Sequence, residues 1–177
     1  AKDAVAPEKL DALDKWALYK TAQFVDEAQK AYDAYEFHKV YKLIDNFCGV
    51  TLSRVYHDIL KDRLYTYAAH SAERRSSQTA IDIISDALIK VAAPILTFTA
   101  DEAYSFKNGA EYSEDSVHLQ DWPEIGAEYR DEVAYERVER VLSLREKVNE
   151  ELEKLRQNKT IGKSLEAEIE IMVGATS

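Results

Sequence analysis

Disulfide chemistry has no place in a chain with a single cysteine, Cys48, and the same count removes any zinc site built from several thiolates. Cys48 shares a helical stripe with Ile44 and Phe47, so it reads as a small core residue rather than a reactive thiol. Proline and glycine are scarce as well, three and five in 177 residues, which argues against a loop-rich chain and for ordered helices. No apolar run nears the roughly 20 residues that a bilayer crossing needs, and no secretory leader opens the sequence. These absences point to a cytoplasmic chain that engages no membrane.

Positive charge is also in deficit. Lys and Arg number 23 against 33 Asp and Glu, a net charge of −10. That field repels phosphate, so a nucleic acid could be held only by a local basic surface. The candidates are Lys61 with Arg63, Arg74 with Arg75, and the group Lys154, Arg156, Lys159 and Lys163, with Arg54 close by in sequence to the first pair. Acidic residues crowd instead into 101–136 and 146–153, which reads as a solvated or partner-facing side.

What is present is helical periodicity. Leu10, Leu13, Ala17, Thr21, Phe24, Ala28, Ala31 and Tyr35 recur at steps of three and four and mark one face of a long helix, with Pro7 suited to its first turn. The small residues in the stripe would let a neighbouring helix come close. Phe37, Val40, Tyr41, Ile44, Phe47 and Cys48 repeat the pattern. Gly49 breaks it, and Leu52, Val55, Tyr56, Ile59 and Leu60 resume it. Residues 66–76 lack clear periodicity and read as a loop leading into a helix from about Ser77 to Ala92. Pro94 interrupts, and the capping-box spacing of Thr99 and Glu102 starts a fresh helix near Ala100 that ends before Lys107-Asn108-Gly109. The polar stretch to Asp115 is a surface turn, and 117–119 is at most a short strand. A long helix is expected from about Glu128 to Gln157, then a loop over 158–164. The alternation of Leu165, Ala167, Ile169, Ile171 and Val173 with Glu166, Glu168, Glu170 and Met172 predicts a half-buried strand, paired with 117–119 or poorly ordered.

Candidate chemistry is thin. The string Ile161-Gly162-Lys163-Ser164 suggests a phosphate loop, but that motif needs a glycine where Gln157 stands, and a strand rather than a helix before it. His38, His57, His70 and His118 form no pair at metal-ligand spacing. Adjacent acids such as Asp101-Glu102 point to different helix faces, and Ser76-Ser77 has no base partner in the sequence. The basic residues and eleven tyrosines remain, since unpaired RNA bases stack on aromatic or Arg planes while Lys and Arg position the backbone. Tyr41 and Tyr56 lie on apolar stripes and read as core.

The run from Glu36 through Phe37-His38-Lys39-Val40-Tyr41 to Phe47-Cys48, followed by Leu52-Ser53-Arg54-Val55-Tyr56 and Ile59-Leu60-Lys61-Asp62-Arg63-Leu64-Tyr65, resembles the helical anticodon-binding domain of the isoleucyl-tRNA synthetase family, in class Ia. Further segments match in the family's order: Leu13-Asp14-Lys15-Trp16-Ala17-Leu18, Arg74-Arg75-Ser76-Ser77-Gln78-Thr79, Pro94-Ile95-Leu96-Thr97-Phe98-Thr99-Ala100-Asp101-Glu102, Ser116 to Pro123, and Ile161-Gly162-Lys163-Ser164-Leu165-Glu166-Ala167. The likeness runs from about Leu10 to Val173, and the charged opening reads as a piece of a longer chain.

The resemblance implies an all-α bundle of five or six helices with a small C-terminal β element. Residues 1–160 would form the helical anticodon-binding domain, and 161–177 a loop and strand leading toward further C-terminal structure. It implies recognition of the anticodon stem-loop of isoleucine tRNA, with Arg54, Lys61, Arg63, Arg74, Arg75, Lys159 and Lys163 as candidate contacts. The partners would be that tRNA and the catalytic and C-terminal domains of the parent enzyme. The His-Ile-Gly-His and Lys-Met-Ser-Lys-Ser signatures of class I synthetases are absent, Met172 being the single methionine. This piece is therefore expected to be catalytically silent and to need no cofactor, with ATP and isoleucine bound elsewhere in the parent. The related domain of valyl-tRNA synthetase and a helical protein-interaction module with an acidic surface are the alternatives.

Overall fold

The computed structural model describes residues 4–109 and 116–171. Their regular elements are all helical, with no strand among them. Helix α1 spans Ala12–Asp33, α2 Phe37–Asn46, α3 His57–Thr66, α4 Ala72–Ala92, α5 Thr97–Asn108 and α6 Glu132–Gln157. The chain divides into two compact units, Ala1–Tyr135 and Glu136–Ser177, and α6 runs from the first into the second. That division marks where packing thins. The sequence boundary at residue 160 falls elsewhere, in the loop after α6 ends at Gln157.

In the first unit α1 is the axis, packing on both α4 and α2. Pro7 does not open it: Pro7–Lys9 is a separate 3-10 turn, and Asp11 caps α1 by accepting the Leu13 N–H at 3.0 Å. The predicted stripe is the buried one, from Leu10 and Leu13 through Thr21 and Phe24 to Ala31. Ala17, Ala22 and Ala28 are almost fully covered, and Ala80 and Ala87 of α4 are equally so, the small-residue contact that close helix approach requires. Phe24 stacks on Phe47 at 4.3 Å between centroids. Tyr32 reaches α4 by donating to the Val91 carbonyl at 2.9 Å, and burial pushes its phenol up to about 12.

No break occurs at Gly49. Between α2 and α3 the backbone stays helical but widens into a π-helix over Phe47–Tyr56, closed by the His57 N–H on the Leu52 carbonyl. The wider coil explains a spacing that an α-helix would not produce: Phe47, Leu52, Tyr56 and Leu60 are all buried, at a step of five followed by steps of four. Val40 is buried too, but Tyr41 is 65% exposed, contrary to its reading as core. Cys48 is half-buried, its thiol pushed up by that burial and by Asp45.

Helix α4 begins at Ala72, five residues before its predicted start, because Ser71 caps it and accepts the Arg74 N–H at 3.3 Å. Arg74 to Ser77 are thus helical. Pro94 does end the run, and α5 opens at Thr97 with no side-chain cap, so the Thr99 and Glu102 spacing is not used as a box. Gly109 closes α5 in the left-handed conformation, φ 67°. Ala93, Ala100, Tyr104 and Val117 form a small core under α5. Asp101 pins the following chain by accepting from Ser116 Oγ at 2.6 Å and the Val117 N–H at 3.0 Å, which holds its carboxyl below the usual range. Val117–Leu119 is a 3-10 turn rather than a strand, and the expected surface turn at 110–115 lies outside the described residues.

The second unit contains most of α6. Its C-terminus falls at Gln157 as predicted, while Ala127–Tyr129 is a separate 3-10 turn, so the helix starts at Glu132 rather than 128. Leu152 is buried, but Val141, Leu144 and Leu155 remain exposed. After α6, Ser164–Glu166 is a 3-10 turn and 167–171 carries no ladder bonds. The C-terminal β element therefore has no counterpart among the described residues. Alternation alone cannot make a strand without a partner edge. Met172 and Val173 lie outside the described residues.

Candidate nucleic-acid interface

One predicted cation is drawn into the interior. Asp14 on α1 is fully buried, and it accepts hydrogen bonds from Tyr56 Oη at 2.6 Å, Ser76 Oγ at 2.5 Å and Ser77 Oγ at 3.3 Å. Burial pushes its carboxyl up, and the Ser76 and Tyr56 hydroxyls pull it part of the way back. Arg63 supplies the positive charge, with Nη1 3.1 Å from Asp11 Oδ1 and 3.8 Å from Asp14 Oδ2. That nitrogen is buried and not aligned as a hydrogen-bond donor to either, so the attraction is one of charge. Ser76 Oγ also accepts the Asp11 N–H at 2.8 Å. The knot ties α1, the π-helix, α3 and α4 together, and it makes Arg63 a structural residue. It also answers where the Ser76-Ser77 pair belongs: beside a buried carboxylate, with no histidine between them.

Arg74 and Arg75 stand at the start of α4, against the turn from α3, and Lys61 lies earlier, on α3. Lys61 is exposed on α3, 3.0 Å from Asp58, a pair that water weakens. Arg74 Nη1 donates to the Tyr67 carbonyl at 2.9 Å, which fixes the guanidinium over the turn, while its buried Nε has no acceptor among the described residues. Arg75 lies 3.0 Å from His70 Nδ1 and 3.4 Å from Gln78 Oε1. Two tyrosines stand among them, Tyr65 at 84% and Tyr67 at 43% exposure. Composition could not single these rings out from eleven; what distinguishes them is their place at the end of α3, Tyr65 in its last turn and Tyr67 at its C-cap. Arg54 is exposed on the π-helix. The result is a surface with planar cations and open aromatic faces, the two components that hold unpaired bases and their phosphates.

In the second unit Lys159 and Lys163 are both exposed. Lys159 occupies the left-handed position after α6, φ 57°, with the Thr160 N–H bonded to the Leu155 carbonyl at 2.9 Å. The amides of Gly162 and Lys163 donate to Glu166 Oε2 at 2.7 and 3.2 Å, which holds that carboxyl below its usual range. A carboxylate thus already sits where a phosphate loop would place its anion. Arg156 donates to Ser164 Oγ and pairs with Glu153 at 3.0 Å, and Lys154 pairs with Glu151 at 2.6 Å, so the more free cations of this group are Lys159 and Lys163.

Among the described residues no three His, Cys, Asp or Glu side chains gather as a metal site, and no helix is long and apolar enough to cross a membrane. His118 Nε2 lies 3.2 Å from the Thr97 carbonyl, a structural contact.

A family profile described as the anticodon-binding domain of tRNA ligase matches residues 14–171. Curated relatives include the isoleucine–tRNA ligase of Thermoanaerobacter sp. (strain X514), 42% identical over 171 residues and 96% of this chain, and that of Thermotoga petrophila, 43% identical over 167 residues and 94% of this chain. The isoleucine–tRNA ligase of Syntrophotalea carbinolica is 43% identical over 169 residues. The chain spans 18% of the length of each of these relatives.

Proposed function

Because this chain belongs to the family of anticodon-binding domains of tRNA ligases, we propose that it holds the anticodon stem-loop of isoleucine tRNA for an isoleucine–tRNA ligase acting in cytoplasmic translation. The observation that carries this reading is the α3–α4 turn, where Arg74 is fixed on the Tyr67 carbonyl next to Arg75, with Lys61 and the open Tyr65 ring one turn apart on α3. Its relatives' names supply the amino acid. Cations at the turn position the phosphates, the rings receive unpaired bases, and a wrong base is rejected because it leaves polar groups unpaired. Lys159 and Lys163 are candidate backbone contacts of the second unit on its own account. Activation of isoleucine with ATP belongs to the remaining four-fifths of such an enzyme, and this chain alone, without cofactor, turns nothing over.

The test is a titration of the chain with isoleucine tRNA and with the same tRNA carrying a changed anticodon, at low and moderate salt. Tighter binding to the native anticodon is expected, with Arg74→Ala and Arg75→Ala each weakening it and Lys163→Ala reducing the salt dependence by about one phosphate contact. Equal affinity for both tRNAs, unaffected by these substitutions, would sink the reading.

A further inference from the structure

Four of the predicted contacts stand two residues before a member of the knot around Asp14: Arg54 before Tyr56, Lys61 before Arg63, Arg74 before Ser76 and Arg75 before Ser77. The spacing has a geometric meaning. Two residues turn an α-helix by about 200°, so one member of such a pair points inward when the other points outward. The wider coil over Phe47–Tyr56 gives nearly the same opposition. Exposure follows the rule: Tyr56, Ser76 and Ser77 are buried, Arg54 and Lys61 are exposed, and Arg74 and Arg75 are half-buried. Tyr65, two residues after Arg63 and one turn beyond Lys61, is open on the outer face of α3.

What the knot fixes is therefore rotation. Apolar contact between helices has no direction of its own, whereas a hydroxyl-to-carboxylate bond does. Asp14 Oδ1 takes Tyr56 Oη at 2.6 Å and Oδ2 takes Ser76 Oγ at 2.5 Å, so each oxygen holds a different segment. Helix α4 is held by two adjacent hydroxyls, those of Ser76 and Ser77, and turning it toward one bond draws it away from the other. Ser76 is tied a second time, by accepting the Asp11 N–H at 2.8 Å. A buried carboxylate is a poor means to stability alone, since apolar side chains of similar volume often serve as well. Direction is what it adds.

We infer that Asp14 is a positioning residue for RNA recognition: by holding Tyr56, Arg63, Ser76 and Ser77 inward, it sets the angle at which Arg54, Lys61, Tyr65, Arg74 and Arg75 meet the anticodon loop. The inference rests on the RNA reading of the chain and names what aims its contacts. Arg74 is fixed from the outer side as well, through its N–H on Ser71 Oγ at 3.3 Å and its Nη1 on the Tyr67 carbonyl at 2.9 Å. Base recognition needs such fixing, because a planar guanidinium or a stacking ring displaced by about 1 Å loses its partner, whereas a flexible lysine still reaches a phosphate. Loosening the knot should therefore cost discrimination between anticodons before it costs the salt-dependent attraction to the backbone.

The experiment measures binding of the full chain to isoleucine tRNA and to the same tRNA with a changed anticodon, at low and moderate salt, with circular dichroism and urea unfolding fixing the folded fraction. The variants are Asp14→Asn, which keeps the shape but loses the charge and one acceptor, and Ser76→Ala with Ser77→Ala, which frees α4 from Asp14 with little change in volume. Val91→Ala, fully buried on the same helix but four turns from the knot, is the control for lost stability. Asp14→Asn and the serine double variant are each expected to lower the preference for the native anticodon at least fivefold with the salt slope unchanged. Arg74→Ala should cost less in the serine double variant than in the unaltered chain, because a misaimed guanidinium has less to lose. Val91→Ala should keep the preference. Full preference in the folded serine double variant, with Arg74→Ala as costly there as in the unaltered chain, would discard the positioning role and leave the RNA reading standing. An equal loss in Val91→Ala would reduce the effect to stability and discard it too. No preference in the unaltered chain would remove the RNA reading and this inference together.

Discussion

Asp14 and Glu151 are both carboxylates on helices of this chain, and each faces a cation. Glu151 lies 2.6 Å from Lys154 with both side chains mostly in water, whereas Asp14 lies 3.8 Å from Arg63 and is fully buried. Distance alone would rank the α6 pair higher. Physical context reverses the order, because water screens the exposed pair and competes for both ions, while the buried carboxylate has exchanged its hydration for three hydroxyl donors and a guanidinium. The comparison extends to whole regions. The first unit adds internal struts between helices to surface pairs such as Asp58 with Lys61, whereas α6 shows pairs three residues apart along its own surface, at Glu151 with Lys154 and Glu153 with Arg156.

Breaking the buried side of this comparison should give the largest effect. Asp14→Ala strands the hydroxyls of Tyr56 and Ser76 and leaves Arg63 with one carboxylate fewer, for an expected loss of about 3 kcal/mol in urea unfolding. Asp14→Asn sharpens it through pH. The folded carboxyl titrates above its ordinary 3.8, so the unaltered chain has its full benefit from this group below 3.8 and loses it as the pH rises through the folded value. The stability gap between the unaltered chain and Asp14→Asn should accordingly be widest near pH 3 and narrow toward neutrality; a gap that widens with pH would contradict the direction.

The Arg130 and Asp26 pair sits between the extremes. It is bidentate, at 2.7 and 2.9 Å, and roughly two-fifths exposed, so Arg130→Ala should cost only about 0.5–1 kcal/mol after solvent screening. Arg130 holds the Asp26 carboxyl below its usual range, which gives the opposite pH sign: its benefit is present above 3.8 and is lost as the pH falls through the folded value. Gly49→Ala tests the continuity of the α2–α3 rod. A Cβ there meets open space, so within an unbroken helix the substitution should stabilise by roughly 0.5 kcal/mol, whereas a true break would return no gain. Smallest of all is Lys154→Ala, which should leave the melting midpoint where it was.

Local periodicity carried most of the fold into view. The α1 stripe was legible because its members from Leu13 to Ala31 lie within regular helix that packs on α4 and α2, and it failed at Tyr35, where the helix had already ended at Asp33 and the backbone turned left-handed. Tyr41 and Tyr56 looked alike in sequence, yet one is exposed and the other fully buried, since the π-helix between them rotates the inward face. The start of α4 was illegible for a different reason. Ser76 and Ser77 are buried by a carboxylate 62 and 63 positions away, and no window along the chain contains both. Long separation from Asp11 and Asp14 likewise hid the role of Arg63, which in sequence is one more cation beside Lys61. Of the interface, the sequence could name cations but not say which are spent inside the protein, nor which of eleven tyrosines are open.

The π-helix has one more consequence, for chain length. A coil whose hydrogen bonds reach five residues back takes more residues to cover the same span than one whose bonds reach four. Phe47 to Tyr56 is thus a stored surplus, slack wound into the rod without a loop to hold it. Homologous chains that are a residue shorter at this point can keep Val40 and Leu60 on the core by winding the same stretch as α-helix, so an alignment gap near Gly49 would mark a change of pitch rather than a lost piece of structure.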